Sequence, residues 1–166
     1  MKVLLIFTLM IFLIGKVQGH DIFKTITNDQ KIDRYIFVST KMPDQDLIEL
    51  AAQAQISKMT MVLFGFIDSS SAGLEHTKIK IFEINNSCCS RNGPSWMIYP
   101  LLFEKFNVRV SPSFVISKKT PLNPSDFVMV SGEMSVQNAL KYIYAGAINP
   151  LIRADAKSAY KEFPDE

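Results

Sequence analysis

One proline constrains this chain more than any other residue. The stretch LLFEKFNVRVSPSFVI, residues 101–116, starts with short helical spacing at Leu102, Phe103 and Phe106. It then turns β-rich, and Pro112 stands inside the β-rich part. Proline has no N–H for a sheet ladder and is confined to edges, bulges or strand starts. Residues 113–116 must therefore form a strand that begins at Ser111-Pro112, preceded by a turn or a bulge.

The other elements follow from periodicity. Residues 35–39, YIFVS, are a short, nearly all-apolar, β-branched run, which reads as a strand buried on both faces. Pro43 precedes a helix over 44–55, with Leu47, Ile48, Leu50, Ala51 and Ala54 at helical spacing and Asp44 and Asp46 in its first turn. Residues 60–66, TMVLFGF, make a second buried strand, so the chain opens β-α-β with a right-handed crossover. A second helix is expected from the serines at 69–71 to about Ile84, although KIKIF within it also alternates like a strand. A loop over 85–94, a short strand over 95–99 and a helical turn from Pro100 to about Phe106 come next. After strand 113–116, a hairpin loop over 118–126 leads to a last strand over 127–131. Ser135 caps a helix carrying Val136, Leu140, Ile143 and Tyr144 on one face, and Gly146 closes it. Asn149-Pro150 is a further N-cap and N1 pair. Ile152, Ala156, Ala159, Tyr160 and Phe163 then share a stripe that either packs on the domain or binds a partner.

Strand, helix, strand, helix, strand, short helix, two strands and a helix, with a proline heading the strand before the final hairpin, is the thioredoxin arrangement. The fold class is thus α/β, a mixed sheet flanked by helices. In that fold the corresponding proline is cis, which is the expectation for Pro112. The domain organisation reads as a leader over 1–19, an arm over 20–34, the thioredoxin-like domain over 35–146 and an amphipathic helical tail over 147–166.

The start of the chain sets its compartment. Lys2 supplies a positive n-region, residues 3–14 are a twelve-residue run broken only by Thr8, and 15–19 end in small residues. A bilayer-spanning helix needs roughly 20 apolar residues, so this is the layout of a cleaved secretory signal peptide. Val17 and Gly19 suit the −3 and −1 positions, which makes His20 the expected mature terminus of an exported chain. The full chain has 18 basic and 16 acidic residues, and removing Lys2 and Lys16 with the leader leaves 16 of each. A mature chain with no net charge lacks a broad footprint for nucleic acid or anionic lipid.

Four blocks in order carry a family resemblance. Residues 35–54, YIFVSTKMPDQDLIELAAQA, resemble the strand-SxxMPxxxL-helix opening of the TrbC family of F-type conjugative pilus assembly proteins. VLFGFIDSS at 62–70 is similar to that family's VLRGL strand and helix entry, and YPLLFEKFNVRVSP at 99–112 to its DPxLFxxFxVxxVP block. SGEMSVQNALKYI at 131–143 resembles its closing GDxSxxxALxxI. The match spans about 35–146, with departures at Phe64, Tyr99 and Ser111. The resemblance implies a periplasmic, thioredoxin-like, non-enzymatic factor that acts in pilus assembly with other conjugative transfer proteins, notably TraW-type partners.

The chemistry of the residues points the same way. A thiol oxidoreductase carries Cys-x-x-Cys at the start of the first helix, where dipole and amides lower the thiolate pKa. Lys41-Met42-Pro43-Asp44 occupy that place, so thiol–disulfide exchange there is excluded. The two cysteines, Cys88 and Cys89, fall in the expected loop after the second helix. Three states are open to them: free thiols, a vicinal disulfide and a bridge to a partner. A divergent redox protein using this pair is the alternative function. Neighbouring Cα atoms lie about 3.8 Å apart, closer than the roughly 4.4 Å that disulfides usually need. His20 and His76, the two histidines, match no common metal spacing with them, and no cofactor or metal is expected. The expected partner-binding face comprises Lys41, Met42, Pro43, Arg109, Val110, Ser111 and Pro112. Met and Pro give adaptable apolar contact there, and unpaired N–H and C=O groups near Ser111 offer strand pairing. Amino-terminal sequencing of the exported protein is expected to begin at His20; a chain that keeps residues 1–19 would refute the cleaved leader.

Overall fold

The sheet is organised around its first strand. The structure, a computed structural model, describes residues 31–89, 93–121 and 123–164. Strand β1, Ile32–Val38, pairs in parallel with β2, Thr60–Leu63, on one side. On the other side it pairs antiparallel with β4, Ser113–Lys118. The outer strands are β3, Trp96–Ile98, parallel to β2, and β5, Phe127–Ser131, antiparallel to β4. The resulting order, β3-β2-β1-β4-β5, is the thioredoxin-like mixed sheet, and the Ser111–Pro112 bond that leads into β4 is cis.

Alternation along the central strands feeds two cores. Ile36 and Val38, Met61 and Leu63, and Phe114 and Ile116 face one side, where helices cover them. These helices include α1, Asp44–Ser57, and α2, Gly73–Cys89, together with α4, Val136–Gly146, and α5, Pro150–Tyr160. Phe37, Val62 and Val115 face the other side, against Leu102 and Phe103 of the short α3, Pro100–Lys105, and against Phe106. Phe37 meets Phe103 edge to face, with ring centroids 4.8 Å apart, an arrangement aromatic pairs prefer. Burial on both faces is why these strands read as continuous apolar runs.

Several boundaries differ from expectation, most for a visible reason. β1 starts at Ile32, inside the expected arm, because Asp33 and Arg34 pair with Ser117 and Ile116 of a β4 that itself runs on to Lys118. Arg34 interrupts the apolar pattern while its charge is satisfied. Its guanidinium forks onto Asp155 of α5 at 2.7 and 2.8 Å and donates to the Ser57 carbonyl at 2.7 Å. β2 stops at Leu63, so Phe64 and Phe66 lie outside the strand and are exposed. α2 begins at Gly73 and runs through Cys89, converting five residues of the expected loop into helix. Asn85 in that added turn accepts from the Trp96 indole at 2.9 Å, a tertiary contact that outweighs its weak helix propensity.

The expected tail belongs to the same unit, Ile32–Glu166. Ile152, Ala156 and Ala159 of α5 are fully buried, and Asn149 caps the helix by accepting from the Leu151 amide at 3.0 Å. The expected leader and the arm up to residue 30 lie outside the described residues. Because the Arg34 and Asp155 side chains are only 18% and 20% exposed, their fork is a mostly desolvated pair. Arg34→Ala should lower stability by about 2–3 kcal/mol in urea denaturation, since it strands Asp155. Arg34→Met with Asp155→Leu should recover most of that loss.

Candidate functional site

The candidate face forms where β1 ends and β4 begins. After Val38 the chain turns through Ser39-Thr40-Lys41, with the Met42 amide donating to the Ser39 carbonyl at 3.1 Å and the Lys41 amide to the Ser39 hydroxyl at 3.2 Å. Pro43 is the N-cap of α1, with φ −53° and ψ 142°, and its carbonyl accepts the first helical bond from Leu47 at 3.1 Å. Asp44 follows in the first turn and pairs with Lys80 of α2. No sulfur nucleophile stands at this helix start.

The facing loop is fixed from within. Asn107 takes the left-handed conformation, φ 52°, which lets the Val108 amide reach back to the Phe103 carbonyl at 2.8 Å. The Asn107 side-chain oxygen accepts from Arg109 Nε at 2.9 Å. Ser113 Oγ donates to the Val110 carbonyl at 2.6 Å and lies 2.7 Å from Ser131 Oγ. The Gly132 amide donates to the Pro112 carbonyl at 3.0 Å. Of the backbone groups expected to be free near Ser111, those two carbonyls are thus occupied. The N–H and C=O of Ser111 itself make no hydrogen bond among the described residues.

Apart from Pro43, the seven expected residues are divided between two neighbouring hollows. Lys41, Arg109, Val110 and Ser111 line a cleft of about 380 Å3, with Phe64, Phe66 and Phe103. Met42 and Pro112 line a separate depression of about 240 Å3, with Asp46, Glu49, Glu133 and Met134. Pro43 lines neither and is exposed. The Ser111–Pro112 bond separates the two hollows, one residue facing each. Val110 is 54% exposed, whereas Pro112 is buried and acts as a wall.

Several lining residues escaped the sequence reading. Phe64 and Phe66, 61% and 50% exposed, were absorbed into an apolar run, although the intervening Gly65 marks where the strand fails. Asp46 and Glu49, three residues apart, share a face of α1, whereas Met42 precedes its N-cap. Glu133 and Met134 come from the turn after β5, and no local signal ties them to this place.

The two cysteines lie elsewhere. Cys88 and Cys89 occupy the last turn of α2, not a loop, and their sulfurs are bonded to each other. Cys88 packs against the larger core, and neither residue lines either hollow. No group of three or more His, Cys, Asp or Glu able to hold a metal occurs among the described residues. No described helix is long and apolar enough to cross a membrane.

Residues 36–143 match the family model described as "Type-F conjugative transfer system pilin assembly protein". A search of curated proteins finds no match. Among solved structures the chain is similar to a secreted Mycobacterium tuberculosis disulfide oxidoreductase homologous to E. coli DsbE. The two are 9% identical with a TM-score of 0.41, over 80% of this chain and 85% of that one.

The loop after the larger cleft is held by one carboxylate. Asp68 accepts from the Ser70 hydroxyl, from the Ser70 amide at 2.9 Å and from His76, whose Nδ1 lies 2.7 Å away. The Ser70 hydroxyl bond is the main reason its pKa falls to about 2, with His76 next. A carboxylate whose folded pKa lies below its unfolded value stabilises fully above about pH 4 and loses that contribution as pH drops toward 2. Asp68→Asn should therefore narrow the stability gap to the parent chain as denaturation is followed from pH 5 to pH 2. A gap that stays constant across that range would contradict this role.

Proposed function

Because the chain belongs to the type-F conjugative transfer system pilin assembly family, we propose that it acts in the periplasm as a non-catalytic assembly factor. On this reading it works through protein–protein contacts and engages a TraW-type transfer protein among its partners. One observation carries the proposal. The place where a thioredoxin-type oxidoreductase would present its thiols carries Lys41, Met42 and Pro43, and it sits between two open hollows lined by apolar and charged side chains. Such a surface has the composition of a recognition site, with exposed aromatic and methionine contacts surrounded by polar groups. It supplies neither a nucleophile nor a poised acid–base pair for a reaction.

The proposal places binding on both sides of Ser111. Phe64, Phe66 and Val110 offer exposed apolar area, and the unpaired Ser111 backbone offers the donor and acceptor for one step of strand addition. Replacing Met42 and Arg109 together by Asp should reduce capture of a TraW-type partner by the mature chain at least about tenfold, the loss of roughly 1.4 kcal/mol of binding. Arg109 is exposed, but Met42 packs partly buried against the larger core, so the unfolding midpoint of the double variant is measured alongside and capture is compared at a temperature where both chains are folded. Capture that survives the double substitution would place the interface on another face.

A further inference from the structure

Resting on the docking face proposed above, we infer that the partner inserts an extended segment of ordered charge: acidic at one end, apolar in the middle and basic at the other. The two hollows carry opposite charge. The larger holds Lys41 and Arg109 and no carboxylate; the smaller holds Asp46, Glu49 and Glu133 and no cation. None of the five is in an ion pair among the described residues. Arg109 donates only through Nε to Asn107, so its two Nη groups remain available for a carboxylate. Glu49 accepts only from the neutral Gln45 amide, at 2.8 Å.

Ser111 lines the basic hollow and its neighbour Pro112 the acidic one, with Phe64 and Val110 on the basic side and Met42 and Met134 on the acidic side. A ligand satisfying both hollows must present the inverse order, acid over Lys41 and Arg109 and base over the three carboxylates. Electrostatic complementarity of this kind sets register and rejects wrong partners.

Shape and charge select among occupants. Both hollows are concave, so a second copy of the chain would meet concavity with concavity. Nucleic acid and an anionic bilayer present one sign of charge, which the acidic hollow repels. An extended polypeptide can run across Ser111–Pro112, pair with the Ser111 N–H and C=O, which make no hydrogen bond among the described residues, and send alternate side chains down.

The test is fluorescence anisotropy of the mature chain with labelled synthetic peptides at low salt. One probe is Asp-Asp-Val-Ile-Val-Lys-Lys; the others replace its charged residues by all Asp, all Lys or all Ser. The mixed-charge peptide should bind at least about tenfold tighter than any of the three and weaken as salt is raised. Lys41→Glu with Arg109→Glu should transfer the preference to the all-Lys peptide. Asp46→Lys with Glu49→Lys should transfer it to the all-Asp peptide, and circular dichroism should show both variants folded. An all-Ser peptide that binds as tightly as the mixed one, a ranking unmoved by either reversal, or no binding by any peptide would overturn the ordered-charge segment. Partner capture that still fails in the Met42→Asp, Arg109→Asp chain would then leave the docking face standing without it.

Discussion

The structure depends on burying the C-terminal half of β1 completely. Ile36, Phe37 and Val38 have no exposed surface, and each side chain enters one of the two cores in turn. Full burial of residues this large contributes about 1.5–3 kcal/mol each, but only if both sheet faces are covered. That condition demands α1 and its neighbours on one face and the Leu102, Phe103 and Phe106 cluster on the other. It also demands hydrogen-bonding partners along both edges of β1, which β2 and β4 supply. Once those are in place, the chain leaving β1 and the chain entering β4 meet at one end of the sheet. The candidate face is the consequence of that meeting.

The same constraint explains what the sequence could reveal. The strand runs, the N-caps at Ser135 and Asn149 and the proline before β4 are local signals, and each marks an element the structure contains. Arg34 concealed the start of β1 because its partner, Asp155, lies 121 residues away and no local pattern shows that the charge is satisfied. Asn85 and its neighbours read as loop because propensity favoured it, while the bond to Trp96 decided otherwise. The division of the face into two hollows was invisible for a related reason. It depends on Glu133 and Met134 arriving from the turn after β5, and on Phe64 being turned outward where β2 ends. That the segments after β1 and before β4 would meet was legible; the side chains' allocation around Ser111–Pro112 needed tertiary structure.

A fold that elsewhere houses thiol chemistry is used here, on the proposed reading, for its geometry. The start of α1 offers an exposed proline cap and a half-buried methionine, and the facing loop offers Ser111, whose backbone has no partner among the described residues. Charges of both signs lie exposed around them, basic in one hollow and acidic in the other, and such an arrangement can steer and orient a partner of complementary charge. The two cysteines that the chain possesses are at the far end of α2, bonded to each other and outside both hollows.

That separation makes the central claim open to direct attack. A chain carrying Cys88→Ser and Cys89→Ser, exported and folded, should restore pilus assembly to cells lacking the protein as fully as the parent chain does, counted as pili per cell. Loss of pili in that strain, with the variant present at normal level, would mean that sulfur chemistry and not docking performs the work.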